Sequence, residues 1–401
     1  MRKAISILLV FLFTSFSSPS LAAPTFQRYT TDYFETVSML VLYDTPNAPQ
    51  VWEEVKAILA EIEEAVSVSL EGSDITRFNR AEAGEEVPIS PITAEIVQIA
   101  QEAYRLTGGL YDPTVFPLVD LWGFSPRFNQ NTYQKLMPYD RDYTGGSLPL
   151  PSEADIRALL PLVGLDKIEL IDSERGYALV KRTTAVTMDG AVIQAQIDLG
   201  GIAKGYACDR VMELLRRKGY REGYFVCGGS SMAFLSRPNG EDFTVSAGKP
   251  RPGDSDGTDY ARMRIRETTL SSSDDQSHYY QWENTVYCHI IDPRTGWPLN
   301  TPADGFPQNG TAAVTLLGES AALNDALTTA LCLMGPSEAL IFLRDRDEQM
   351  IMAVYGADSD VCEVVANLDW SLLELTDGAY IPASRKDKDG VDQYCGVLYR
   401  R

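Results

Sequence analysis

Four short segments carry residue types suited to a phosphorylated ligand. The first, Asp198-Leu199-Gly200-Gly201-Ile202-Ala203-Lys204-Gly205-Tyr206, joins a strand-like stretch to a helix-like one. Paired glycines let a backbone approach a ligand closely, a helix start offers N–H groups to an anion, and Lys204 would add a point charge. The spacing is not that of a Walker A loop, so a tight structural turn explains this segment equally well. In the second, Asn324-Asp325-Ala326-Leu327-Thr328-Thr329, Asp325 and Thr329 are four apart and share a helix face. A carboxylate, a hydroxyl and a nearby backbone carbonyl are hard oxygen donors suited to Mg²⁺, although a solvated carboxylate gives the same pattern. The third, His289-Ile290-Ile291-Asp292-Pro293-Arg294-Thr295-Gly296, runs from a strand into a turn and holds one of only 2 histidines. His289 could be an acid/base or a phosphate contact, while the rest reads as an ordinary β-turn. The fourth, Gly108-Gly109-Leu110-Tyr111-Asp112-Pro113-Thr114, leads into Leu121-Trp122-Gly123-Phe124. Asp112 could hydrogen-bond a heterocycle and Tyr111 could stack on it, or Trp122 and Phe124 could simply pin a loop in the core. Cys227-Gly228-Gly229-Ser230-Ser231 is a further Gly-rich loop.

The elements that must hold these residues are legible from periodicity. Apolar spacing predicts helices over 51–68 and 91–107, the second stopped by Gly108-Gly109. Ser152-Glu153-Ala154-Asp155 opens a short helix with a cap-like sequence. A clear helix runs from Ala203 to Lys218 and ends at Gly219. Two more are expected over 320–334 and 336–344, the second with Pro at its first turn. Strands are expected over 36–43, several within 167–198, then around 224–234, 243–247, 261–270, 285–291, 350–355 and 362–366. Helices and strands mix without a regular βαβ beat, which favours an α+β fold over a doubly wound one. Residues 125–150 lack periodicity and read as a surface insertion, and the chain after Tyr380 as a charged, turn-rich tail. No internal repeat or low-complexity linker divides the chain, so one catalytic domain is expected.

The 401 residues carry 35 Lys+Arg against 56 Asp+Glu, a net charge of −21. That balance argues against nucleic acid as the main partner. It does not exclude a phosphorylated ligand, because a divalent cation can supply local positive charge. A hydrophobic fraction of 44% excludes a disordered chain, and the length excludes a disulfide-dense mini-protein. The 6 cysteines form no Cys-x-x-Cys pair, which speaks against zinc or thioredoxin-like chemistry. Cys362 and Cys395 are the pair to test first for a disulfide. Arg2 and Lys3, an apolar run to Phe16, and the small-residue exit Ser20-Leu21-Ala22-Ala23 form a secretory signal pattern. Cleavage is expected after Ala22, with Ala23 the alternative site and an uncleaved anchor the alternative reading; no Cys lies there to carry a lipid, and the expectation is a soluble periplasmic or otherwise extracytoplasmic protein.

Taken together the four segments resemble the ApbE-type FAD:protein FMN transferases. The Asp-Leu-Gly-Gly-Ile-Ala-Lys-Gly-Tyr signature stands at 198–206, His-Ile-Ile-Asp-Pro-x-Thr-Gly at 289–296, Asp-Ala-Leu-x-Thr-Ala at 325–330, and Gly-x-Tyr-Asp-Pro-Thr with Leu-Trp-Gly-Phe at 109–124. The resemblance covers roughly 30–375, leaving 376–401 as a C-terminal tail. It implies a mixed, largely antiparallel sheet flanked by helices. It also implies a Mg²⁺-dependent reaction that cleaves FAD, releases AMP and places FMN on a Thr or Ser hydroxyl of an exported flavoprotein domain. Metal ligands fall on the Gly201 carbonyl, Asp325 and the Thr329 hydroxyl. Flavin or adenine contacts fall on Leu110, Tyr111, Asp112, Asp198 and Lys204, and His289 matches the family's functionally important histidine. His289 is the first candidate for the base and a nearby carboxylate the second. The sequence departs from the family at Phe34-Glu35-Thr36, at Ser69 and at Ser271-Ser272-Ser273-Asp274. Some relatives hydrolyse FAD instead, so an FAD pyrophosphatase or a non-catalytic exported FAD-binding protein are the alternatives. No acceptor site of the Asp-Gly-Ala-Thr kind is evident within this chain, so the acceptor must be another protein, with membrane partners approached peripherally at most.

Overall fold

A computed structural model describes residues 25–43, 47–125, 150–188, 190–250, 259–275, 277–282, 285–299, 309–355, 362–386 and 392–394. The expected signal peptide, most of the 125–150 insertion and Cys395 lie outside these residues.

The centre is a nine-stranded sheet whose spatial order follows the chain: β1 (Phe26–Tyr33), β2 (Thr36–Tyr43), β3 (Gly223–Cys227), β4 (Ser231–Phe234), β5 (Thr269–Asp274), β6 (Thr311–Gly318), β7 (Gln349–Tyr355), β8 (Cys362–Ala366) and β9 (Tyr380–Pro382). Every neighbouring pair is antiparallel except β8 with β9, which is parallel. This is the expected α+β architecture. The ninth strand lies in the segment read as tail, so the sheet continues past residue 375.

Residues alternate between the two faces with the strand period of two. Leu40, Leu42, Phe225, Val314, Leu316, Met350 and Met352 point into one core, and Val41, Tyr224, Ala313, Leu317, Ile351 and Ala353 into another. The first core is roofed by helices, chiefly α6 (Gly200–Arg217) and α7 (Ala321–Leu343), with α1 (Ala48–Val66) and α3 (Pro91–Leu106) outside them. The second is covered by a three-stranded sheet of Phe243–Gly248, Asp259–Ile265 and Leu373–Leu375. Both faces of the large sheet are thus buried, which explains its short apolar strands.

Local signals are borne out where they rest on caps. Ser90 Oγ accepts the Thr93 N–H at the start of α3, with Pro91 in its first turn. Ser152 and Asp155 form a reciprocal capping box on α5 (Glu153–Leu159). The expected break between two C-terminal helices exists as a kink inside α7: Gly335 has φ 73° and ψ 175° and precedes Pro336. Asn309 Nδ2 donates to the Cys332 and Leu333 carbonyls there, serving backbone oxygens near the kink. Helix α7 is long and apolar enough to cross a membrane by composition, yet it packs against α6 and the sheet as a core helix. Two short helices were not expected, α2 (Asp74–Arg80) and α4 (Phe116–Leu121).

Candidate active site

The site is made where α6 crosses α7. A Cβ built on Gly205 would lie 2.1 Å from the Ala321 carbonyl oxygen, so only glycine permits the approach. The start of α7 is in turn capped from α6. Asp209 accepts the Ala321 and Ala322 N–H groups at 2.9 and 3.0 Å and the Ser320 hydroxyl at 3.1 Å.

This contact turns Asp325 toward α6, where its Oδ2 accepts the Gly205 N–H at 3.1 Å. In an α-helix that same amide faces the carbonyl four residues back, at Gly201. The Asp325 carboxylate therefore reaches the turn of α6 that begins at Gly201. Asp325 is buried, and burial raises its pKa; Lys204, the Gly205 amide and the Ser231 hydroxyl pull it the other way. Thr329 sits one turn further along the face of Asp325 and is half-buried. Its neighbour Thr328 is fully occupied, donating to the Asp325 carbonyl at 2.8 Å and sharing a hydrogen bond with Ser273 at 2.8 Å. Of the two adjacent threonines, Thr328 is thus committed to the scaffold.

The loop after α3 delivers the other wall. Gly108 and Gly109 take positive φ, and the Tyr111 N–H donates to Thr107 Oγ1 at 3.1 Å. Tyr111 is buried against Gly201, and among the described residues its hydroxyl has no hydrogen-bond partner. Burial, then the carboxylates of Asp325, Asp198 and Asp112, push its pKa well up. An orphaned hydroxyl facing three carboxylates is costly by itself. It is accounted for if a cation or a ligand oxygen enters that space. Leu110 is buried beside it. Asp112 caps the following turn: it accepts the Thr114 N–H at 2.9 Å and the Thr114 hydroxyl at 2.5 Å. Burial lifts its pKa to about 6 against those bonds. Its carboxylate is a loop staple in this conformation.

At the start of α6, Asp198 Oδ1 accepts the Gly200 N–H at 2.8 Å, and the Leu199 carbonyl takes the Ile202 and Ala203 amides. Among the described residues that leaves the Gly201 N–H as the open amide of the first turn, a narrower anion cradle than the sequence suggested. Lys204 Nζ donates to the Gly200 carbonyl at 3.1 Å. Its charge acts on Asp325 on one side and on His278 and His289 on the other, tying both groups into one electrostatic neighbourhood.

His289 follows the hairpin Tyr279–Trp282 with Thr285–Cys288, and its ring lies 5.3 Å from that of His278, edge to face. His278 is solvent-exposed and His289 half-buried, and desolvation by the surrounding protein lowers both pKa values. For His289, desolvation comes first, then His278 and Lys204. Both imidazoles are therefore neutral at pH 7. The rest of this motif is scaffold. Trp122 Nε1 donates to the Gly296 carbonyl at 2.7 Å, and Arg294 forks onto the Asp292 carboxylate.

Two further supports were missed by sequence reasoning. Asn79 brackets Ile197, donating to its carbonyl and accepting its N–H, both at 2.8 Å. Lys181, buried, ties the Asn79 and Ala81 carbonyls. These bonds fix the strandless approach to Asp198. The 79–197 contact spans 118 positions, beyond any local signal. His278 was detectable only by extending the hairpin register one pair outward.

Among the described residues no three His, Cys, Asp or Glu side chains converge on a metal position. A cation here would rest on one carboxylate, one hydroxyl and one carbonyl, an all-oxygen set that fits Mg²⁺.

Comparison with known proteins places the chain in a family. Residues 34–354 match the ApbE family. The chain is 28% identical over 299 residues to the FAD:protein FMN transferase of Haemophilus influenzae, covering 74% of this chain and 76% of that protein. It is 26% identical over 317 residues to that of Escherichia coli K12, covering 79% and 80%. In structure it is similar to the flavin transferase ApbE from Vibrio cholerae, with a TM-score of 0.67, 22% identity, and coverage of 86% and 97%. It is also similar to an ApbE protein from Thermotoga maritima, with a TM-score of 0.65, 22% identity, and coverage of 82% and 94%.

Proposed function

The chain belongs to the ApbE family, and from that premise we propose that it is a FAD:protein FMN transferase. It moves the FMN half of FAD to a Thr or Ser hydroxyl of an exported flavoprotein domain and releases AMP. The observation that carries this reading is the buried Asp325 carboxylate on the Gly205 amide of α6, one turn from Gly201 and the orphaned Tyr111 hydroxyl beside it. A pyrophosphate with its cation gives all three a partner.

Mg²⁺, held by the Gly201 carbonyl, Asp325 and Thr329, would neutralise the pyrophosphate oxygens and the departing AMP phosphate. Lys204 and the Gly201 N–H hold phosphate oxygens on the opposite side. Leu110, Tyr111 and Asp198 line the space for the flavin or adenine end. The acceptor hydroxyl attacks the FMN-side phosphorus, the P–O bond to AMP breaks, and the acceptor proton passes to His289. A neutral imidazole can take that proton, and the bound pyrophosphate draws its depressed pKa upward as it does so. The signal-like segment 1–22 supports action outside the cytoplasm.

The test mixes purified protein, FAD, Mg²⁺ and a candidate acceptor domain. FMN mass added covalently to the acceptor is the expected result. Free FMN and AMP with an unmodified acceptor would replace the transferase by a pyrophosphatase, and retained FAD without turnover would leave a binding protein.

A further inference from the structure

The only two histidines in the chain meet in space. The hairpin explains how. Tyr279 pairs with Cys288, so the next pair outward is residue 278 with residue 289. The His289 N–H donates to the His278 carbonyl at 3.0 Å and continues the ladder past the strand ends. The same carbonyl lies 3.3 Å from His289 Nδ1. A carbonyl can only accept, so Nδ1 must carry the hydrogen, and in the neutral ring Nε2 is then the bare nitrogen. The ring bond is long, and by itself would hold the imidazole loosely. The His278 ring, at 78° to the His289 plane, supplies the wall that stops it turning.

We propose that His278 is a positioning residue for His289: its carbonyl and its ring together hold the imidazole with Nδ1 protonated and Nε2 open to the cleft. The inference rests on the part assigned to His289 in the reaction above. The charged groups that act on the pair are Asp274, at the end of β5, which favours a proton on His278, and Lys204, from α6, which disfavours one on either ring. Each imidazole also disfavours a second proton beside it. A neutral, oriented His289 is what proton abstraction requires.

With two histidines in all, ¹⁵N imidazole spectra of the whole protein contain two ring systems, and a His278 variant leaves His289 alone. In the wild type and in His278→Phe, His289 is expected to give one protonated and one bare nitrogen. In His278→Gly the two nitrogens average and the ring titrates at higher pH. FMN transfer by His278→Gly falls about tenfold in kcat, with KM for FAD within about twofold, and His278→Phe recovers most of it. An unaltered His289 signature and titration in His278→Gly overturns the positioning role. The spectra need no turnover, so a wild type that transfers no FMN overturns the assigned reaction separately.

Discussion

The segments 198–206 and 289–296 look alike in sequence, each a run of glycine, charge and turn formers, but they divide their residues between site and packing in different ways. In the first, Leu199, Ile202, Ala203 and Tyr206 are buried in the helical core between Asp198, Gly201 and Lys204 of the candidate site, and the fold exacts its requirement at Gly205, where two helix backbones touch. In the second, His289 shares the electrostatic neighbourhood of Lys204 and the others lock a turn: Gly296 abuts Ile156, with a Cβ there only 2.4 Å from Ile156 Cγ2, and presents its carbonyl to Trp122. A contiguous motif is thus a record of several constraints, and substitutions can separate those that serve ligand from those that serve packing.

The largest effect is expected at Asp325. Asp325→Ala should lower FMN transfer on the order of 10³-fold, measured as flavin mass on the acceptor. Asp325→Asn should lose the same activity yet melt about 2–4 °C higher without Mg²⁺, because a carboxylate whose pKa is raised by burial destabilises the fold when ionised. Mg²⁺ should then raise the melting temperature of the wild type and not of the variant. Full activity in Asp325→Ala would remove this residue from the site.

His289→Gln comes next, with transfer down about 10²–10³-fold and FAD binding kept, read by flavin fluorescence. Since the His289 pKa is lowered, the native state binds fewer protons than the unfolded one. The acid limb of kcat/KM should therefore lie below about pH 6.5, and the stability contribution should be lost as pH falls through the same range. An acid limb above that value would assign the base elsewhere.

Gly205→Ala tests the packing side of the first motif. Urea denaturation should show a loss of about 1–3 kcal/mol, with Mg²⁺ affinity reduced because the α6–α7 crossing positions Asp325. The adjacent threonines sharpen the contrast. Thr329→Val should weaken Mg²⁺ about tenfold at unchanged stability, and Thr328→Val should do the reverse, losing about 1 kcal/mol. The smallest effect is expected for Trp122→Phe, about 1 kcal/mol for the lost bond to Gly296, with activity changed only through the placement of His289.

What could be read beforehand follows from the range of the interactions. The 3.6-residue stripe of α1, the capping box at Ser152 and the Gly335-Pro336 break are local, and local chemistry marks them in the sequence. The pairing of Asp325 with Thr329 needs only helical spacing. Asp209 capping a helix 112 residues away, Asn79 gripping Ile197, and His278 meeting His289 depend on tertiary register instead. Helix α2 is seven residues long and was hidden for a different reason. It is too short to show a stripe, and it is held by Asp74, which accepts the Ser90 N–H at 2.6 Å and the Thr93 hydroxyl at 2.7 Å.

The orderly strand sequence of the large sheet conceals one long excursion. Strands β2 and β3 are neighbours, yet Ser38 and Cys227, which face each other across them, are 189 positions apart. Helices α1 to α6 and the small sheets built from Val87–Ile89, Ile168–Ser173, Gly176–Lys181, Val186–Met188 and Ala191–Ile193 lie inside that loop, while α7 lies beyond it. Closing it is entropically expensive and must await the collapse of what it contains. The β1–β2 hairpin, although synthesised early, is therefore expected to dock late, and the slow step of refolding is expected to seal the helical core and the flavin site together.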